Sequence, residues 1–140
     1  MSTLYGDSLT AAILVDYLRL GPKRSEEGKR RPLAVWQLRR ATEFMTVHLA
    51  TSVRLSDLAR ITELSQSHFG RAFKASTGVT PHRWLMAARI GRAQEFLLES
   101  DLSLAQIALQ TGFSEQSHFT RVFRSVVGTS PAAWQRHRRT

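Results

Sequence analysis

One supersecondary unit occurs twice in this chain, and any fold must accommodate both copies. Leu55, Leu58, Ala59, Thr62, Leu64 and Ser65 recur 49 residues later as Leu104, Ile107, Ala108, Thr111, Phe113 and Ser114. Gln66, Ser67, His68, Phe69, Arg71, Phe73, Lys74, Gly78, Thr80, Pro81 and Trp84 recur 50 residues later as Gln116, Ser117, His118, Phe119, Arg121, Phe123, Arg124, Gly128, Ser130, Pro131 and Trp134. Glu115 is the single insertion that changes the offset. Seventeen positions are identical or conservatively changed within a window of roughly 30 residues, which chance does not produce.

Each copy reads as short helix, tight turn, longer helix, loop and helix. In the second copy Ser103 precedes Leu104, with Gln106 three residues on, the pattern of a capping box. Thr111 and Gly112 end that short helix, glycine being suited to a left-handed turn residue. Ser114 is expected to cap the next helix, whose apolar stripe is Phe119, Val122, Phe123 and Val126. Gly128 stops it, and Ser130-Pro131 supplies a cap followed by proline at the first helical position. Thr80-Pro81 repeats that device. The first copy is weaker at two points, with Arg54 in the place of Ser103 and Glu63 in the place of Gly112. A non-glycine residue in the left-handed region costs on the order of 1 kcal/mol, so the first turn should be strained or differently shaped.

A short helix, a turn of three or four residues and a longer helix form the helix-turn-helix pattern. The units run about 55–76 and 104–126. Packed helical hairpins would explain a repeated apolar stripe. They would not explain why the polar positions Gln66, Ser67 and Arg71 are repeated as Gln116, Ser117 and Arg121. Charge agrees with a polyanionic partner: 20 Lys and Arg stand against 11 Asp and Glu, a net charge of +9. Phosphate contacts from such residues release condensed counterions. The absence of cysteine removes thiol chemistry and cysteine-ligated zinc. No apolar run reaches a membrane span, and Leu9 to Val15 lacks the basic start of a signal peptide, so a cytoplasmic protein is expected.

Pro81 to Ser100 joins the units as one amphipathic helix. Trp84, Leu85, Ala88, Ala93, Phe96 and Leu97 form its apolar side, with Arg83, Arg89 and Arg92 largely off it. Twenty residues span roughly 30 Å, close to one turn of B-DNA. Val35 to Ala50 forms a further helix with Leu38, Ala41, Met45, His48 and Leu49 as its stripe, His48 packing half-buried. Residues 21–33 are a linker rich in Gly, Pro and charge. Residues 1–20 carry an apolar face at Leu9, Ile13, Tyr17 and Leu20. The expected fold is all-α: a seven-helix bundle of two helix-turn-helix units joined by a long linker helix, filling 34–140, plus one N-terminal helix.

These residues also resemble a known family. GFSEQSHFTRVFRSVVGTSPAAW, from Gly112 to Trp134, is similar to the second-unit signature of AraC/XylS-type transcription regulators. SQSHFGRAFKASTGVTPHRWL, from Ser65 to Leu85, resembles its first-unit counterpart. The resemblance covers about residues 34 to 138. It implies seven helices, with recognition helices starting near Ser65 and Ser114. It implies base contacts from Gln66, Ser67, Gly70 and Arg71, and from Gln116, Ser117, Thr120 and Arg121. Gly70 departs from the polar residue often found at its position. Arg suits guanine O6/N7 and Gln suits adenine N6/N7. Lys74 and Arg124 are candidates for phosphate contact, as are Arg89 and Arg92 on the linker helix. His68 and His118 fit phosphate contact or packing beside the partner helix equally. No catalytic residue, metal or cofactor is implied.

The implied protein is a bacterial transcription regulator, an activator, with double-stranded DNA and RNA polymerase as partners. Residues 4–20 resemble the last helix before the DNA-binding half of longer regulators. The chain therefore reads as a fragment or as a short member of the family. The apolar face of that segment would pair with a second copy as a homodimer, meet a sensor domain, or fold back in cis. Two other functions fit part of the sequence: a non-specific architectural DNA-binding protein, and a helical interaction module acting as an anti-activator. An enzyme is not expected, since no phosphate loop, carboxylate pair or Cys/His cluster appears. RNA binding is disfavoured because exposed stacking aromatics are not apparent.

Overall fold

The computed structural model describes residues 31–139. The expected N-terminal helix, its association role and most of the linker lie outside them. Seven α-helices and no strands occur among the described residues: α1 (Val35–Val47), α2 (Leu55–Thr62), α3 (Gln66–Thr77), α4 (Pro81–Glu99), α5 (Leu104–Gln110), α6 (Gln116–Val127) and α7 (Pro131–Arg139). None is long and apolar enough to cross a membrane. The chain divides into two compact units, with the boundary between Leu85 and Met86, inside α4.

In the first unit, the backbone N–H of Leu33 donates to Ser76 Oγ at 2.8 Å, tying the chain entry to α3. Gln37 then acts twice. Its Oε1 accepts from the Ala34 N–H at 2.9 Å, completing the uncapped start of α1, and its Nε2 donates to the Thr62 carbonyl at 3.0 Å. Ala41, Met45, Leu49, Leu58 and Ala59 are buried behind α3, with Phe69 and Phe73 fully enclosed. The Phe69 and Phe73 rings lie 5.6 Å apart, and Trp84 meets Phe73 edge-on at 6.4 Å. The α1 helix is shorter than expected. His48 is its C-cap and is exposed, not half-buried, with its ring centre 4.4 Å from that of Phe44 and the two planes tilted by 43°.

The second unit repeats this core. Phe119 and Phe123 are fully buried 5.8 Å apart, and Trp134 lies 6.1 Å from Phe123. The Ser103 N–H donates to Gln106 Oε1 at 2.8 Å and the Gln106 N–H to Ser103 Oγ at 3.1 Å, the reciprocal capping box the sequence announces. Pro131 opens α7, where Ser130 Oγ accepts from the Ala133 N–H at 3.1 Å. Thr80 does the same for Arg83 at the start of α4, at 3.2 Å. Arg139 closes the far end of α7 by donating to the Ser100 carbonyl at 2.7 Å.

The long helix α4 corrects the sequence reading. It has no continuous wet face. From Trp84 to Leu97 almost every residue is buried, among them Arg89, Gln94 and Glu95. Expected beside the apolar stripe, Arg89 is instead only 9% exposed, its guanidinium 5.6 Å above the Phe113 ring. Burial pushes its pKa below the ordinary arginine value. A periodicity argument assumes that one side of a helix meets water, whereas α4 is packed around most of its circumference.

Candidate nucleic-acid interface

The turn in each unit sets the direction of the helix that follows. Thr62 and Thr111, both fully buried, each donate their hydroxyl to the carbonyl four residues back at 2.7 Å, so neither hydroxyl is left unpaired in the core. The Leu64 N–H then bonds the Ala59 carbonyl at 3.0 Å, and the Phe113 N–H bonds the Ala108 carbonyl at 2.9 Å. These are the same six-to-one closure. Of the two outcomes the sequence leaves open for the first turn, a strained turn of the same shape is the one observed. Glu63 lies in the left-handed region at φ 63°, and is the non-glycine residue with positive φ among the described residues. Gly112 occupies the matching place at φ 96°.

Beyond the turns, α3 and α6 bury one side and expose the other. On α3, Phe69, Ala72 and Phe73 are inside, while Gln66, Ser67, His68 and Arg71 are exposed and Gly70 and Lys74 are half-buried. On α6, Phe119 and Phe123 are inside, while Gln116, Ser117, His118, Arg121 and Arg124 are exposed and Thr120 is half-buried. Positions i, i+1, i+4 and i+5 share one helical face, so each candidate quartet lies on one side of its helix. The quartets are Gln66, Ser67, Gly70 and Arg71, and Gln116, Ser117, Thr120 and Arg121. Both carry an arginine fork and a carboxamide, and no acidic residue lies within either helix. His118 is exposed with its ring edge-on to Phe113 at 5.3 Å, so it also packs against its own turn.

The caps of the two helices differ. Ser65 directly precedes α3, and its Oγ accepts from the His68 N–H at 3.2 Å. In the second unit the inserted Glu115 takes the N-cap position and makes no side-chain cap bond. Ser114, expected to cap α6, lies one residue too early. Glu115 instead accepts from the Ser117 hydroxyl at 3.4 Å.

The linker-helix arginines are engaged within the protein. Arg92 is ion-paired with Glu95 at 2.8 Å and stacks 5.1 Å from the Phe96 ring, while Arg89 covers Phe113. Two features have no signal in the repeat pattern. Trp36 is 46% exposed beneath Arg40, 5.3 Å from its ring centre. Arg138 lies 5.3 Å over Trp134. An exposed aromatic is therefore present. It was not legible because the recurring positions begin at Leu55, after α1, and exposure on α1 depends on which neighbours cover it.

The arrangement defines a class, a pair of helix-turn-helix units each presenting a polar and cationic helix face. Comparison with known proteins agrees. A helix-turn-helix domain model matches residues 58–137, more than half of the chain. The chain is 36% identical over 80 residues to the uncharacterized HTH-type transcriptional regulator YbfI of Bacillus subtilis, covering 57% of this chain and 29% of that protein. It is 35% identical over 86 residues to the HTH-type transcriptional regulator ExsA of Pseudomonas aeruginosa, covering 61% of this chain and 31% of that one. Among solved structures, it is similar to the C-terminal domain of AraT, a response regulator from Geobacillus stearothermophilus. That match has a TM-score of 0.71 at 27% identity, over 77% of this chain and 89% of that one. It is also similar to the DNA-binding domain of AdpA, a global transcriptional factor solved with a target DNA. Here the TM-score is 0.68 at 31% identity, over 74% and 93% of the two chains. The chain belongs to the AraC-type helix-turn-helix domain family. It spans less than a third of the length of YbfI and of ExsA.

Proposed function

We propose that this chain is a sequence-specific DNA-binding transcription regulator that lays α3 and α6 into successive segments of major groove. The observation that carries the reading is the duplication of exposed positions. Gln66, Ser67 and Arg71 return as Gln116, Ser117 and Arg121 on helices whose buried sides are duplicated for a separate reason, core packing. Base edges are read by Gln66, Ser67, Gly70 and Arg71, and by Gln116, Ser117, Thr120 and Arg121. Phosphates are met by His68, Lys74, Arg92, His118 and Arg124. Arg89 joins them only if DNA draws it off Phe113. The protein works as a cytoplasmic activator with RNA polymerase as its second partner, and residues 4–20 supply a homodimer contact.

The experiment is selection of binding sites from random duplex DNA by the full chain, followed by footprinting. The expected site is asymmetric, spans about two helical turns and contains two unlike elements in direct orientation. Arg121→Ala should weaken that site by about 1–3 kcal/mol and relax base choice at one or two positions. Equal loss on selected and random DNA would reduce Arg121 to a phosphate contact. The +9 net charge favours one competing reading, non-specific architectural binding. It requires the selected-to-random affinity ratio at fixed salt to be close to one.

A further inference from the structure

We infer that Gly70 is a close-approach position, where the missing side chain lets the backbone of α3 come nearer to the base edges than α6 can at Thr120. This rests on the proposed DNA reading and identifies which residue of that interface sets the fit. Gly70 is the fifth residue of the twelve-residue helix α3. Glycine in a helix interior lowers helix stability relative to alanine, so its presence calls for a compensating requirement.

Two internal requirements are absent. The backbone does not need glycine, because the positive-φ glycines among the described residues are Gly78, Gly112 and Gly128. Packing does not need it either, since among the described residues a Cβ built on Gly70 meets nothing within 4 Å beyond its chain neighbours and the backbone of its own helix. What remains is the surface outside. Gly70 lies between Gln66 and Lys74 at helical i, i+4 spacing, beside Ser67 and Arg71, in the middle of the candidate contact face. The repeat places Thr120 at the same point of α6. One face thus carries a dent where its duplicate carries a branched side chain. A glycine facing open space on a binding helix fits a site where a ligand approaches the backbone closely.

The test uses the full chain, a duplex selected by the wild type, and the variants Gly70→Ala and Gly70→Thr. Gly70→Ala should raise the thermal midpoint by about 2–6 °C, because the helix gains and nothing clashes. Both variants should bind the selected duplex about tenfold or more weakly, while random-sequence affinity at the same salt stays within about twofold. A raised midpoint with unchanged affinity for the selected duplex would overturn the inference. An unchanged or lowered midpoint for Gly70→Ala would also overturn it, by showing that the fold itself requires glycine. If the wild type selects no site at all, the sequence-specific reading fails first, and that result appears before any variant is made.

Discussion

In the second unit the turn passes through Gly112 at φ 96° and then drops Phe113 into the core, where it is 2% exposed. In the first unit the same turn passes through Glu63 at φ 63° and leaves Leu64 half-buried. The hydrogen bonds that close the two turns are nearly superimposable in length and register. The duplicated feature is therefore a backbone path, and the residues that stabilise it have diverged. The first unit carries the cost at its beginning. Its short helix starts at Arg54 without a side-chain cap, helped only by Asp57 Oδ2 accepting from the Arg54 N–H at 3.2 Å. The second unit carries it later, at α6, where Glu115 has displaced Ser114 from the cap. Each copy is well specified where the other is not.

The largest effect should come from the residue after the turn. Phe113→Ala should cost about 3–5 kcal/mol, because a fully enclosed ring with Phe119 5.5 Å away leaves a cavity. Leu64→Ala should cost less than about 2 kcal/mol, since its side chain is only partly withdrawn from water. Denaturant unfolding of the two variants measures the difference. Equal losses would mean that the turns are equivalent in energy as well as shape.

The helices that precede the two short helices also differ in one buried residue. Gln94 is fully buried, and neither its Oε1 nor its Nε2 has a hydrogen-bond partner among the described residues. Forty-nine residues earlier in sequence stands Met45, also fully buried. Methionine has nearly the volume of glutamine and no amide to desolvate. Gln94→Met should therefore stabilise the protein by about 1–3 kcal/mol, read as a higher midpoint in thermal unfolding. A loss of stability would show that the amide is bonded after all.

The smallest pair addresses the turn residue itself. Glu63→Gly should gain roughly 0.5–1 kcal/mol, left-handed strain relieved minus the added freedom of the unfolded glycine. Gly112→Ala should lose roughly 1–2 kcal/mol, because φ 96° lies outside what a Cβ tolerates. Chemical denaturation resolves both. The same sign for the two substitutions would break the comparison.

Much of this was legible because it is local. Ser103 with Gln106, Ser130 with Pro131, Thr80 with Pro81, and the stops at Gly78 and Gly128 are contacts within a few residues, and the repeat shows each pattern twice. The exposed polar positions of α3 and α6 were legible for the same reason. Ser114 misled because a cap depends on where the first helical turn begins, and the inserted Glu115 moved that point by one residue. Trp36 and His48 were missed because exposure on α1 depends on which neighbours cover it.

The sequence by itself determined that two copies of one helix-turn-helix unit exist, where their helices stop and where all but α6 start, and which polar residues recur on their second helices. Those properties follow from short-range hydrogen bonding, backbone freedom and helical spacing, all of which act within about one turn. Only the tertiary structure decided the character of α4. A helix bearing Arg89, Arg92, Gln94 and Glu95 reads as half-wet. Packing instead encloses it, folding Arg89 over Phe113, pairing Arg92 with Glu95 and leaving the Gln94 amide without a partner among the described residues. Burial is a property of what surrounds a residue, and no stretch of sequence carries its own surroundings.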